Sequence, residues 1–285
     1  MTRNNSDNPN YKITADAPER GFVMEMLTHL RISIIATVVL AVICCGIYPM
    51  IVWGLAQTLF HHKANGSLIA KDGTPTDDDK QAVGSSLLGQ PFSDEKYFHP
   101  RPSAAASPTW WGNGYDATYS GGSNLGPLSA KLLNGTTKPS TPPATQPAVA
   151  VDFDGIKLRT ILYAQDNGID IIDASQPLKG FQDNKGIYDQ VKLIEAFNDT
   201  DHPLKFRTAK PIPPDAVTGS ASGLDPHISV ENATLQAQRV ADNRKMSMDK
   251  VKVLIAQYTE GPDLGILGDA GVNVLKLNIA LDNQK

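Results

Sequence analysis

Residues Ile32 to Phe60 read ISIIATVVLAVICCGIYPMIVWGLAQTLF, 29 positions without one charged side chain. A bilayer hydrocarbon core of about 30 Å is crossed by about 20 mostly apolar helical residues. The stretch is therefore long enough to span a membrane once, with length left over for tilt. A cleaved secretory signal would carry an apolar run of about 7–15 residues close to the N-terminus; this run is longer and starts after Arg31. A core helix in a soluble protein seldom needs so long an uncharged run. One transmembrane helix over 31–60 is the reading adopted. Pro49 would break a helix in water, but in a membrane a neighbouring helix helps satisfy the carbonyl it strands. That points to a packed partner.

Outward from the span, residues 1–30 form a polar arm. Its first 20 residues lack apolar periodicity and are expected to be disordered. Phe22, Val23, Met26, Leu27 and Leu30 then take helical spacing, either lying in the membrane interface or continuing straight into the span. Four Lys/Arg (Arg3, Lys12, Arg20, Arg31) and four Asp/Glu (Asp7, Asp16, Glu19, Glu25) balance within the first 60 residues, so the net charge of −4 sits wholly beyond them. So mild a charge, with no basic stripe, excludes nucleic acid as a partner. Cys44 and Cys45 both lie in the apolar run, so residues 61–285 can form no disulfide, and redox chemistry does not choose a compartment. Lys and Arg near the span do choose one. Lys12, Arg20 and Arg31 precede it and Lys63 and Lys71 follow it, which places the N-terminus inside and the large domain outside.

Beyond the span, most signals have a plain reading. His61 and His62 point to different sides of any regular element, and the six histidines never recur at three- or four-residue spacing, so no metal site is expected. Asp77 to Asp79 read as a solvated loop tip within Lys71 to Lys80. Ala82 to Gln90 reads as a short strand ended by Gly-Gln-Pro. It lacks the Lys-Ser/Thr ending of a phosphate-cradling loop. In Tyr97-Phe98-His99-Pro100-Arg101-Pro102-Ser103-Ala104-Ala105 two prolines fix φ and hold their predecessors extended, giving a stiff non-helical strip. Trp110 to Asp116 and Ser120 to Pro127 are glycine-dense. They are either flexible loops or loops packed by their own aromatic side chains.

Five blocks now stand in order: Gly46-Ile47-Tyr48-Pro49; Gln57 with Leu59-Phe60; Ala64-Asn65-Gly66-Ser67-Leu68-Ile69; Tyr97 to Ala105; and Ser120-Gly121-Gly122-Ser123-Asn124-Leu125-Gly126-Pro127. Together they resemble KdpC, the C subunit of the Kdp-type potassium-transporting P-type ATPase. The resemblance covers 46–130 and 216–282, and 131–215 interrupts it. There, Lys138 to Ala148 reads as a Pro/Thr/Ala linker, and Phe153 to Ile172 alternates like two strands around an Asp166-Asn167-Gly168 turn. Ile187 to Phe197 follows helical spacing. The segment is read as an inserted subdomain.

The resemblance resumes at Val217 to Ser229. Ser220, Ser222, Asp225 and His227 suggest a nucleophile with its own base, making a membrane-tethered periplasmic serine hydrolase the competing class. Catalytic triads are assembled from residues distant in sequence, however, and Asp-Pro-His forms a rigid turn. The structural alternative gives Ser229 a helix cap and Asp225 a bond to its own turn. A solute-binding or sensor module is a third class. One helix should bury Val230, Ala233, Ala237 and Val240; a second, capped by Ser247, should bury Val251, Leu254, Ile255 and Tyr258. Val272 to Asp282 fits strand or helix, and helix is the reading taken.

The resemblance implies a single N-terminal transmembrane helix followed by an extracytoplasmic α/β (α+β) domain with glycine-rich loops and an inserted subdomain. It also implies a non-catalytic subunit of the bacterial inner membrane. Expected partners are the potassium-translocating A subunit, the ATP-hydrolysing B subunit, a small F subunit and membrane lipid. ATP and Mg would belong to the ATPase subunit, K+ to the channel-like subunit, and no cofactor to this chain. Any effect on ATP affinity would have to be a coupling through the assembled helices. The partner-contact candidates are Gly46, Tyr48, Pro49, Asn65, Gly66, Tyr97, Phe98, Arg101, Gly121, Gly122, Asn124, Ser222, Asp225 and His227.

Overall fold

The computed structural model describes residues 21–106, 114–139, 149–262 and 264–284. The chain divides into two compact units, Met1–Ala64 and Asn65–Lys285. In the first, α1 (Phe22–Ala41) passes through a π-helical turn, Val42–Ile47, into α2 (Tyr48–Leu59), followed by the short α3 (His61–Ala64). Phe22–Leu59 is one helical rod of 38 residues, about 57 Å long and apolar enough to cross a membrane. The apolar approach at Phe22 to Leu30 thus runs straight into the span. Pro49 explains the π turn. A proline ring clashes with the carbonyl four residues back and offers no N–H to it; here the Tyr48 N–H just before it reaches five residues back to Ile43 O. The widened turn makes room for the ring without breaking the rod.

In the second unit, β1 (Leu68–Ala70) and β2 (Ala82–Ser85) form an antiparallel hairpin. After α4 (Ala130–Asn134) comes a second hairpin of β3 (Thr136–Pro139) and β4 (Val149–Phe153). Next are α5 (Ile156–Asp166), β5 (Ile171–Ile172), a 3-10 turn at Leu178–Phe181 and α6 (Gln190–Phe197). The strand β6 (Arg207–Thr208) pairs with β5, and α7 (Pro214–Val217) follows. The chain ends on β7 (His227–Ser229), α8 (Val230–Arg244), α9 (Met248–Gln257), β8 (Thr259–Glu260), β9 (Gly271–Asn273) and α10 (Val274–Asp282). The last three strands form an antiparallel sheet in the order β7-β9-β8.

Capping sets the two helices after β7 as expected: Ser229 accepts from the Asn232 N–H and Ser247 from the Lys250 N–H. Their buried faces carry Ala233, Ala237 and Val240 against Val251, Leu254 and Ile255. With Ile228 and Val272 of the sheet and Leu277 and Leu281 of α10, these form the main core. Residues 272–282 are helix after two strand residues, close to the reading taken. A second core belongs to the middle of the chain: Leu158, Ile161, Leu193, Ile194, Phe197 and Leu204.

The middle corrects one expectation. Phe153 to Ile172 is not two strands, because Ile156–Asp166 is helical and buries Leu158, Ile161 and Ala164, a three-residue spacing. The Asp166-Asn167-Gly168 sequence ends that helix instead of turning a hairpin. Gly168 sits at φ +62°, its N–H reaches Gln165 O, and the Ile169 N–H reaches Ala164 O, the paired bonds of a glycine-terminated helix. Ile187 and Tyr188 precede α6, which starts after Asp189, whose side chain accepts from the Lys192 N–H. Lys138 and Pro139 of the expected linker lie in β3. Residues 140–148, the first 20 residues and Trp110-Trp111 fall outside the described residues.

Candidate functional site

The strip Tyr97 to Ala105 is the organising element of the second unit. Two prolines in three residues deny it a regular strand ladder, and side-chain amides take the place of one. Asn278 on α10 accepts from the Phe98 N–H at 2.9 Å and donates to Phe98 O at 2.9 Å. Gln236 on α8 does the same for the next residue, accepting from the His99 N–H at 2.7 Å and donating to His99 O at 3.1 Å. Both amides are 1% exposed. Phe98 itself is wholly buried in the main core, so its part is packing and not a surface. Arg239 completes the seat. It donates to the carbonyls of Glu95 and Tyr97 and to Gln236 Oε1, and its Nε reaches Asn167 Oδ1 at 3.1 Å at the end of α5. Burial first, and then the Arg239 charge, pull the His99 imidazole down to about 4. Tyr97 turns outward, its hydroxyl donating to Asp282 at 2.8 Å beneath the Arg244 guanidinium.

Farther along, the strip joins the glycine-rich loops. Ser103 Oγ donates to Gly223 O at 2.6 Å and accepts from the Tyr115 N–H, while the Tyr115 hydroxyl donates to Arg101 O. The Gly121 N–H and Ser120 Oγ both donate to Ser222 O. A Cβ on Gly122 would stand 2.8 Å from Ala221 O, and one on Gly223, at φ +69°, 2.6 Å from Gly121 O. Ser120 to Gly122 is therefore packed close against Ala221 to Gly223 through backbone, while residues 107–113, with Trp110 and Trp111, fall outside the described residues. Asn124 is exposed at φ +54°.

From this cluster a row of alternating charges runs to the sheet. Arg101 Nη1 meets Asp225 Oδ2 at 2.9 Å; Asp225 Oδ1 accepts from the His227 N–H at 2.9 Å; His227 Nε2 meets Glu260 Oε2 at 3.0 Å; Lys276 Nζ meets Glu260 Oε1 at 2.7 Å. The Asp225 interaction, opposed by burial and aided by Glu260, raises the His227 pKa above its ordinary value. Burial pushes Asp225 up, yet bonding from His227 and the Arg101 charge outweigh it and hold the carboxyl low.

This arrangement is structural chemistry. Ser222 Oγ accepts from the Leu224 N–H and lies 3.5 Å from Ser220 Oγ, while His227 is engaged by Asp225 and Glu260. The three residues of the hydrolase reading are not assembled into a triad. Asp225 instead bonds its own turn, as the structural alternative held.

Of the sequence candidates, Tyr97, Phe98, Arg101, Gly121, Gly122, Ser222, Asp225 and His227 belong to this strip-and-loop system. Gly46, Tyr48 and Pro49 lie at the π turn, with Tyr48 65% exposed. Gly66, next to Asn65, takes φ +94°. Sequence reading missed Gln236, Asn278 and Arg239, whose partners lie on distant parts of the chain.

The family model described as "KdpC: K+-transporting ATPase, c chain" matches residues 30–150 and 176–283. The chain belongs to the KdpC family. A KdpC-family protein of Nitratidesulfovibrio vulgaris (strain DSM 19637 / Miyazaki F), named potassium-transporting ATPase KdpC subunit, is 38% identical over 257 residues, 90% of this chain and 95% of the relative. Same-named proteins of Koribacter versatilis (strain Ellin345) and Dechloromonas aromatica (strain RCB) are also 38% identical, each over 90% of this chain and over 95% and 98% of their own lengths. The family model leaves 151–175 unmatched, a stretch that holds most of β4 and all of α5 and β5.

Proposed function

We propose that this chain is the non-catalytic C subunit of an ATP-driven potassium uptake pump. It crosses the bacterial inner membrane once, with its N-terminus cytoplasmic and residues 61–285 periplasmic, and assembles with and stabilises the other subunits. On this reading the potassium-translocating A subunit handles K+, the P-type ATPase B subunit handles ATP and Mg, and a small F subunit completes the complex. This chain holds no cofactor. Family membership supports the reading, as does the surplus of Lys and Arg before the span.

The observation that carries the assembly role is the π turn at Val42–Ile47. A Cβ on Gly46 would meet nothing within 4 Å, so nothing among the described residues demands glycine there, whereas small residues let a second membrane helix approach closely. The face with Gly46 and Pro49 is the docking face for the A subunit, and the strip-and-loop system covers the outer entrance of the potassium path. Gly46→Leu should lower recovery of the partner subunits in affinity purification from mild detergent, with the expression level of this chain unchanged. Undiminished recovery would sink the assignment of this face.

A further inference from the structure

The corner where the chain enters its second unit has an unusual surface. Gly66 and Ser67 hold φ of +94° and +52°, so two successive left-handed residues turn the backbone sharply into β1. The open end of the β1–β2 hairpin, where Leu68 pairs with Ser85, is tied to that corner. Ser85 Oγ donates to Gly66 O at 2.6 Å, the Ser86 N–H to Ser67 O at 3.0 Å, and the Leu87 N–H to Ser85 Oγ at 3.1 Å. Asn273 Nδ2 holds Ser86 O from the sheet side at 2.9 Å. The backbone before Leu87 is thus fixed from two directions, yet Leu87 and Leu88 remain 59% and 37% exposed.

Connectivity limits what these side chains can meet. Gly66 follows Phe60, the end of the uncharged run, through the single turn of α3, and so lies within about 15 Å of it whatever the direction taken. Ala64 to Ala70 and Gln81 to Ser93 hold no charged residue. A protein partner draws register from polar and charged groups around an apolar centre; here the Ser85, Ser86 and Gln90 side chains are already bonded to backbone carbonyls of the same hairpin corner, and no charge stands between Gln81 and Ser93. A lipid boundary asks only for apolar reach close to the anchor.

We infer that Leu87 and Leu88 rest in the headgroup–acyl boundary of the bilayer, a second and peripheral membrane contact beside the span. This inference rests on the reading that Ile32 to Phe60 crosses the membrane, and one experiment separates the two. Full-length chain carrying Leu87→Cys or Leu88→Cys, each with Cys44→Ala and Cys45→Ala, is spin-labelled and reconstituted in vesicles, alone and within the pump complex. Collision with oxygen, which partitions into lipid, is compared with collision with a water-soluble nickel chelate. Val253→Cys in the same background serves as an exposed reference, since Val253 is 65% exposed on α9. Cys45→Ala alone, which leaves Cys44 to be labelled, reports the span.

The expected result is an inversion at positions 87 and 88: oxygen access exceeds nickel access, opposite to position 253, both with and without the other subunits. Water-like access at both leucines with lipid-like access at position 44 overturns the inference and leaves the span intact. Water-like access at position 44 overturns the span as well. Access that is water-like in the isolated chain and falls for both reagents in the complex assigns the leucines to a protein partner and also overturns the inference.

Discussion

Asn278 shows how much a single side chain can hold. Its amide satisfies both backbone groups of Phe98, a residue with no water to turn to. A buried polar group left without its partner costs about 1–3 kcal/mol. Asn278→Ala strands two, so it should lower unfolding stability by more than about 2 kcal/mol in chemical denaturation; an unchanged midpoint would refute the clamp. His99 and His227, two of the three histidines of the second unit, should pull in opposite directions with pH. His99 is kept neutral in the fold, with its value lowered from 6.5 to about 4. Its contribution is complete above 6.5 and lost as pH falls toward 4, on the order of 3 kcal/mol. His227 is raised above 6.5, so its contribution is complete below 6.5 and lost as pH rises through the raised value. Stability profiles of His99→Gln and His227→Gln should each lose one of these slopes, the acid-side one for His99 and the upper one for His227. The caps at Ser229 and Ser247 were legible because a cap and its helix are neighbours. Gln236 and Asn278 were not, because their partners lie 137 and 180 residues away and no local pattern marks such a bond.

At the scale of the element, α5 shows where reading by periodicity fails. Ile156, Leu158, Ile161 and Tyr163 satisfy strand alternation loosely, but Leu158, Ile161 and Ala164 define one helical face, and alanine carries little weight in a hydrophobic count. The Asp-Asn-Gly signal was correctly read as a reversal and assigned to the wrong element, since glycine at positive φ serves a helix end as well as a hairpin. Gly168 has open space for a Cβ, so Gly168→Ala tests backbone conformation alone. It should destabilise by about 1 kcal/mol, measured by urea unfolding, with the helix shortened at its end by hydrogen exchange. The apolar rod was legible over Ile32 to Phe60 because a charge-free run of that length has few other uses, whereas its start at Phe22 was one of two readings left open. The π turn inside it was not legible, although Pro49 was its visible cause.

For the whole molecule, the two cores of the second unit are laced together. Arg239 bonds Asn167, the Tyr163 hydroxyl donates to Asn232 Oδ1 at 2.8 Å, and Asp215 accepts from the Ser229 N–H and hydroxyl and from Asn232 Nδ2. Buried side-chain amides and ion-dipole bonds of this kind couple neighbours energetically. Leu193→Ala in one core and Leu277→Ala in the other, both at 0% exposure, should each cost about 2–5 kcal/mol. Each should shift a single calorimetric transition of residues 65–285 within the full chain; separate transitions would show the middle segment to be an independent body. The family blocks made the ends of this unit readable; in the middle, helical spacing marked Leu193, Ile194 and Phe197 of α6, while their partners Leu158 and Ile161 on the misassigned α5 emerged only in three dimensions.

The amide clamp on the strip also sets an order of events in biosynthesis. Phe98 leaves the ribosome long before Asn278, and at about 5–20 residues per second the interval is on the order of 10–40 s. Until α10 emerges, the seat of Phe98 does not exist, because Leu277 and Leu281, which share its core, lie far downstream of it in the chain. Closure of the main core therefore waits for α10, and through that interval the Phe92–Phe98 region is a natural client for whatever shields nascent apolar chain.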